Sequence, residues 1–468
     1  MLKFEIMTRL LRYFLLSALL FVAVGVISAQ ENASFRGYHK VKRKETIFGI
    51  SRMYEITVEE LMDANPEMKN PDYELRKGDI LKIPFSSRPS GTNQAGTASQ
   101  IIKDKVSATN SSSDDVRQRT IRLGVMLPLH DINGDGRRMV EYYRGVLMAC
   151  DSLKKKGISV DIHAWNTPED GDIRTVLLDD AATKCDLIIG PLYSKQMDLL
   201  SEFVRTYDIR LVIPFSINAP QLTTNRNIFQ IWQSPTTINE QSITNFMKRF
   251  KDYHPVFIDC NDSTSKKGPF TSGLRRELEQ EGIVYSVTSL KSSDENFLKA
   301  FSDKKQNIVI LNTGRLKELG IAFSKLNIMK MTHQDLDITM FGYTEWLGYT
   351  RVHLENFYKY NTYIPAPFYY NPTSSATKRL EQKYRWNFHA DMQNILPRFA
   401  ITGFDHAYFF LMGLHKYGKS FNGAAGMFGY PPVQTPLQFE RYGNGGLRNN
   451  TQLFVHYMPD HLVETIKF

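Results

Sequence analysis

The stretch Lys184 to Ser216, KCDLIIGPLYSKQMDLLSEFVRTYDIRLVIPFS, leaves few choices of fold. Asp186-Leu-Ile-Ile-Gly190 is a short apolar run that stops at Gly-Pro, as a strand buried on both faces does when it reaches a turn. Apolar residues then recur at Met197, Leu200, Phe203 and Val204, the spacing of a helix laid on a sheet, and Arg210-Leu-Val-Ile-Pro214 begins a second strand. One helix between two buried strands makes the strands parallel. Ligands of an open parallel sheet bind beyond the carboxyl ends of its strands, where helix starts present unpaired N–H groups. Ser194 and Ser216, which follow the two strand ends, are the first candidate ligand contacts.

At 468 residues, with 42% hydrophobic and 12% aromatic side chains, the chain is too long for one ordinary core and predicts two or three folded units. Its formal charge of +9 suits the neighbourhood of anionic polymers or lipids. That charge is dispersed, without the dense Lys/Arg block that nucleic-acid binding asks for, so no nucleic-acid partner is expected. Lys3, Arg9 and Arg12 precede an uncharged run from Tyr13 to Ala29 that closes on Ile27-Ser-Ala29. A basic head, an apolar middle and a small-residue end predict a cleavable secretory signal peptide over residues 1–29, with an uncleaved membrane anchor as the alternative reading of a run near the lower limit for a span. With no cysteine near the cleavage point, a soluble product of the periplasm or cell surface is expected.

Residues 38–84 form a separate small unit. Tyr38-His-Lys-Val-Lys-Arg-Lys-Glu45-Thr46-Ile47-Phe48-Gly-Ile50, then Val58-Glu-Glu-Leu61-Met-Asp-Ala64-Asn65-Pro66, then Leu75-Arg-Lys-Gly78-Asp-Ile80-Leu-Lys-Ile83-Pro84 predict strand, helix, helix, strand. Thr46 and Thr57 are suited to cap helices over 46–54 and 57–64, and Gly78 marks the turn into the last strand. Over its whole length this segment resembles a LysM module. The resemblance implies binding of N-acetylglucosamine-containing glycans, chiefly peptidoglycan, in a shallow groove. It places Glu45, Thr46, Ile47 and Phe48 on one side of that groove and Ala64, Asn65 and Pro66 on the other. Lys44-Glu45-Thr46 stands where the family usually has Gly-Asp-Thr.

Residues 85–119 turn to Ser, Thr, Gly, Asn and Lys, the composition of a flexible solvated linker. The body, 120–468, alternates strand and helix. Strands are predicted at 121–127, 158–164, 186–190 and 210–214, then in a second set at 256–260, 283–287, 307–311 and 337–343, with helices between. Two successive α/β sets of this size predict two parallel-sheet lobes.

Gly124-Val-Met-Leu-Pro128, the Asp186 to Ser216 unit, Asn227-Ile-Phe229-Gln-Ile-Trp-Gln-Ser-Pro235, Phe341-Gly-Tyr343 and Ile401-Thr-Gly-Phe-Asp405-His-Ala-Tyr408 together resemble the type 1 periplasmic binding proteins, in the branch that binds branched-chain amino acids. The resemblance implies a first lobe of about 120–235 plus 366–430 and a second of about 236–365 plus 431–468, closing over a ligand by hinge motion. It places Ser194, Ser216 and Asn218 on the first lobe's side of the cleft, and Asn312, Thr313, Glu345 and Trp346 on the second's. Serine hydroxyls and helix starts suit a carboxylate, Glu345 suits an amine, and Trp346 suits an apolar or sugar face.

Asp131-Ile-Asn133-Gly-Asp135-Gly136 has the beginning of a calcium loop, but its twelfth position is Tyr142, with Glu141 one place early, so the motif is broken and no metal site is expected. Cys150, Cys185 and Cys260 are odd in number and lack metal-ligand spacing, which predicts buried thiols, with Cys150 and Cys185 the pair to test for a bridge. No His-Glu-x-x-His, Gly-x-Ser-x-Gly or Cys/His constellation is present, so neither catalysis nor a cofactor is expected. The sequence predicts an exported, non-catalytic envelope protein that holds peptidoglycan through one module and a small amino-acid-like ligand or a cell-wall synthesis protein through the other. The alternative is solute capture for an amino acid or peptide uptake system.

Overall fold

The computed structural model describes residues 35–42, 45, 47–54, 56, 58–69, 73, 75–84, 115–215, 218–424, 426–427 and 431–468. The expected signal peptide, most of the expected linker, Thr46 and Ser216 lie outside them. The chain divides into two compact units, Met1–Thr109 and Asn110–Phe468.

In the first unit, β1 (Phe35–Lys40) pairs antiparallel with β2 (Ile80–Pro84), and α1 (Ile47–Met53) and α2 (Val58–Ala64) lie between them in sequence. Its core is seven buried side chains, among them Ile50, Leu61, Leu81 and Ile83, which alternate with exposed neighbours along β2. So small a core needs polar clamps. Asn65 supplies one: it donates to Leu61 O and Lys82 O, each at 2.8 Å, and accepts from Lys82 N–H at 2.7 Å, fixing the end of α2 to β2.

The second unit is built on two seven-stranded sheets. Strands β3 (Ile121–Leu127), β4 (Val160–Asn166), β5 (Leu187–Ile189), β6 (Arg210–Ile213) and β7 (Ile228–Gln230) run parallel in the order β4-β3-β5-β6-β7. The second sheet repeats this order with β8 (His254–Asp259), β9 (Ser286–Ser289), β10 (Asn307–Leu311), β11 (Ile338–Phe341) and β12 (Thr362–Ala366), as β9-β8-β10-β11-β12. All of β5, β10, β11 and β12 is buried, because helices cover both faces of a parallel sheet.

The tail corrects the expected lobe boundaries. Strands β13 (Phe439–Arg441) and β14 (Leu447–Asn449) join the first sheet, with β14 parallel to β7, and only β15 (Leu453–Tyr457) and β16 (Val463–Lys467) join the second. Gly445 and Gly446 make that return possible, since a Cβ at either would stand 2.1 Å from Leu222 O or 2.5 Å from Ile228 O. The linker boundary also shifts. Val116 is buried in the first lobe's core, and Arg119 grips Asp186 with two hydrogen bonds of 2.7 and 2.8 Å, so the body begins by residue 115.

Helices α3 (Gly134–Lys154) and α4 (Met197–Thr206) flank the first sheet. The second carries α5 (Pro235–Phe250), α6 (Gly268–Gln280), α7 (Leu316–Thr332) and α8 (Thr350–Lys359). The chain then returns to the first lobe as α9 (Ser375–Phe388) and α10 (Phe399–Tyr417). α3 and α10 cross at two glycines: a Cβ on Gly145 would stand 1.9 Å from Ala400 O, and one on Gly403 2.0 Å from Tyr142 O. Beside this crossing Tyr142 and His406 share a buried hydrogen bond of 2.9 Å, and the Glu141 carboxylate accepts from Gln393 N–H at 2.7 Å.

Between the lobes, amide side chains tie the passing strands together. Gln233 donates to Asn449 O and Thr451 O at 2.9 and 3.1 Å, Gln241 to Asn450 O at 3.0 Å, and Asn245 to Gln452 Oε1 at 2.9 Å. Among the described residues no helix is long and apolar enough to cross a membrane.

Candidate functional site

Each large sheet reverses strand order once, between β3 and β5 in the first lobe and between β8 and β10 in the second. The loops after these strands are where a doubly wound sheet presents a ligand site. In the first lobe β5 is followed by Gly190, whose φ is 142° and where a Cβ would stand 2.2 Å from Met126 O, so no side chain fits. Ser194 opens the short 3-10 turn Ser194–Gln196 that leads into α4, and Asn218, beyond β6, is exposed. Across from β5, Asn133 caps α3 by accepting from Gly136 N–H at 2.8 Å, and Asp135 pairs with Arg138 at 2.5 Å. These bonds account for the Asp131 to Gly136 loop as a helix start.

In the second lobe the expected ligand contacts are held by one another's neighbours. The Asn312 side chain accepts from Cys260 N–H at 2.9 Å and donates to Asp259 at 2.8 Å, bridging the ends of β10 and β8. Thr313, itself buried, donates to Asp262 at 2.8 Å. Hydrogen bonds from Thr264, seconded by Thr313 and Arg315, hold the Asp262 carboxyl down to about 2. Glu345 pairs with Lys267 at 2.6 Å, and the Lys267 ammonium also lies 4.4 Å from the centre of the Tyr343 ring. Trp346 is fully buried, stacked at 2° on Phe357 with ring centres 6.1 Å apart. The one expectation corrected is Trp346, which is core, and Asn312, Thr313 and Glu345 are bonded within their own lobe. The cause is local, since the loop after β8 carries its own acid, Asp262, and its own base, Lys267.

In the small unit, two of the expected groove residues likewise turn inward. Glu45 accepts from Lys42 N–H at 2.6 Å and meets His39 Nε2 at 2.7 Å, while His39 Nδ1 meets the Tyr54 hydroxyl at 3.0 Å. Burial pushes the Glu45 carboxyl up, but Lys42 N–H and His39 more than offset it, and the net shift is downward. Asn65 is the buried clamp between α2 and β2. Ile47 and Ala64 are half-buried and Pro66 is exposed, leaving these three at the surface for a glycan. The Phe48 side chain lies outside the described residues. His39 is not legible in the sequence as the partner of Glu45, nor Tyr54 as that of His39, because a strand residue and a helix end meet only after the unit closes.

The three cysteines are free and buried, and burial raises each thiol to about 12, so no Cys150–Cys185 bridge exists. Where the hinge segments pass between the lobes lies a cavity of about 40 Å³, lined by residues of the first lobe, of the hinge and of α5. No sequence signal marks it, because its walls come from six separated stretches of chain.

The LysM domain family matches residues 39–84. A search of curated protein sequences gives no match. Among solved structures, the chain is similar to one from Rhodospirillum rubrum described as a branched-chain amino acid ABC transporter, with TM-score 0.50 and 14% identity over 74% of this chain and 100% of that one. It is also similar to full-length LpoA from Haemophilus influenzae, at TM-score 0.47 and 12% identity over 74% of this chain and 59% of that one. An ABC transporter substrate-binding protein from Desulfitobacterium hafniense in complex with Leu matches at TM-score 0.41 and 13% identity, over 74% of this chain and 100% of that one. Identities this low bear on fold alone. The chain thus carries a LysM domain at residues 39–84, followed by a body with the two-lobed fold of the type 1 periplasmic binding proteins.

Proposed function

We propose that this is an exported, non-catalytic envelope protein that holds peptidoglycan through its LysM domain and uses the two-lobed body as a docking scaffold for a cell-wall synthesis protein. One observation carries the choice of scaffold over solute capture. The second-lobe groups that would grasp an amino acid, Glu345 above all, are bonded within their own lobe. An α-amine arriving at Glu345 has to displace Lys267 at 2.6 Å, and an indole buried in the core offers it no cover. Ile47, Ala64 and Pro66 at the LysM surface support glycan contact by apolar cover of an acetamido methyl and a sugar face.

Sedimentation with insoluble peptidoglycan tests the first half. The full chain is expected in the pellet, and its retention in the supernatant removes the glycan claim. A thermal-shift screen with amino acids tests the second, since a ligand that binds only the folded state raises the melting temperature. No rise is expected. A rise that disappears in Glu345→Gln would establish solute capture instead.

A further inference from the structure

The hinge cavity is a built site with unmet hydrogen-bonding capacity. Its walls are mostly apolar, with Phe215, Ile231, Trp232, Ile238 and Phe368 among them, and its lining includes no aspartate, glutamate, lysine or arginine among the described residues. Three lining side chains, Gln233, His406 and Thr435, are each more than nine-tenths buried, at 5%, 1% and 8% exposure. Each has a buried polar atom with no hydrogen-bond partner among the described residues: Gln233 Oε1, His406 Nε2 and Thr435 Oγ1.

The remaining atoms of these side chains show what is missing. Both Gln233 donor positions are spent on Asn449 O and Thr451 O, which fixes the amide and leaves Oε1 as an acceptor in need of a donor. His406 Nδ1 is taken by the Tyr142 hydroxyl, leaving Nε2. Burial drives this imidazole down to about 3, so it is neutral at ordinary pH. Thr435 keeps its hydroxyl, able to donate or accept, while its N–H is bound to Asp405. A guest therefore has to bring at least one N–H or O–H and can also offer an acceptor. It has to be uncharged, since no counter-charge lines the cavity and desolvating an ion without one is prohibitive. It has to be short, since about 40 Å³ at about 10–15 Å³ per water accommodates about three to four atoms of that size, the number of heavy atoms in acetamide.

We propose that the cavity at the hinge is a socket for a short uncharged amide, whose N–H meets Gln233 Oε1 and whose carbonyl meets Thr435 and His406, with its methyl or methylene against Ile231 and Ile238. Its lining takes Pro214 and Phe215 from the end of β6 and includes neither Asn312 nor Glu345. An occupant there touches both lobes' connections at once, so it acts on the angle the lobes adopt.

The test is methyl NMR on the full chain labelled at isoleucine δ1, with Ile231 and Ile238 assigned by Ile→Val variants and acetamide as the first probe. Saturable shifts of these two methyls with acetamide, and none with acetate or methylammonium, are expected. Thr435→Val should weaken acetamide binding about tenfold while Thr435→Ser, which keeps the hydroxyl, retains it; Ile188 and Ile310 signals unmoved by either variant show that the two lobes outside the site are intact. The proposal fails if acetamide leaves both methyls unmoved, if acetate shifts them equally, or if Thr435→Val binds acetamide as wild type does.

Discussion

Glu345 and Lys267 hold each other at 2.6 Å beside Gly314, where a Cβ would stand 2.0 Å from the carboxylate oxygen. Both partners are part-exposed, so water screens their attraction and the pair contributes little to stability. Glu345→Gln is expected to cost no more than about 1 kcal/mol in urea unfolding. A loss above about 3 kcal/mol, the scale of breaking a buried pair, would contradict the placement.

Trp346 belongs to the same loop and has the opposite energetics. Its indole is fully buried against Phe357 and Tyr343, so Trp346→Ala should remove about 3–5 kcal/mol, as large-to-small core changes do. Denaturant titration followed by amide signals of the second lobe measures this. A cost below about 1 kcal/mol would be the mark of a surface ring waiting for a ligand.

His406 ties the first lobe's stability to pH. The unfolded imidazole takes up a proton near 6.5, whereas burial delays the folded one to about 3. Between these values the unfolded state binds more protons, so the stability this group confers above pH 6.5 is lost as the pH falls toward 3. Comparing urea midpoints across that window, His406→Leu should be less stable at neutral pH. Its stability should also depend on pH less steeply, by about 1.4 kcal/mol per pH unit. Parallel profiles for variant and wild type would show that the imidazole is already charged when folded.

Asn65 is expected to behave as a structural residue. Asn65→Ala leaves Lys82 N–H and two carbonyls without their partner in a unit whose core is seven side chains. Each orphaned group costs about 1–3 kcal/mol, comparable with the whole stability of so small a fold. Protease cleavage between residues 35 and 84 should rise sharply, and wall binding should vanish with it. Pro66→Ala, at an exposed position, should leave protease resistance unchanged. Equal resistance of Asn65→Ala and wild type would return Asn65 to the list of glycan contacts.

Periodicity made most of the architecture legible. The buried runs at 187–189, 210–213 and 307–311 and the apolar spacing of α4 lie where the sequence places them, because a strand covered on both faces and a helix on a sheet each leave a local pattern. The tail was less legible. The resemblance assigns 431–468 to the second lobe, yet β13 and β14 complete the first sheet, and three-residue strands are too short to show alternation. Candidate sites fared worst where bond partners are far apart in sequence. A serine or an acid after a strand looks available for a ligand, and nothing near Glu345 in the chain announces that Lys267 reaches it. Residue type gives the capacity for a bond; only the closed fold decides who takes it.

The crossing at Gly145 and Gly403 has a consequence for how the protein is made. α3 packs on a helix that is synthesised only after the whole second lobe, and the glycine contact admits no substitute of greater girth. A chain made from its N-terminus thus leaves the apolar side of α3 uncovered until residues 399–417 follow, whereas β8 to β12 of the second lobe arrive as one uninterrupted stretch. Neither lobe is complete until the tail has been made, since β13 and β14 finish the first sheet and β15 and β16 the second, so α3 is the element that waits longest for its partner.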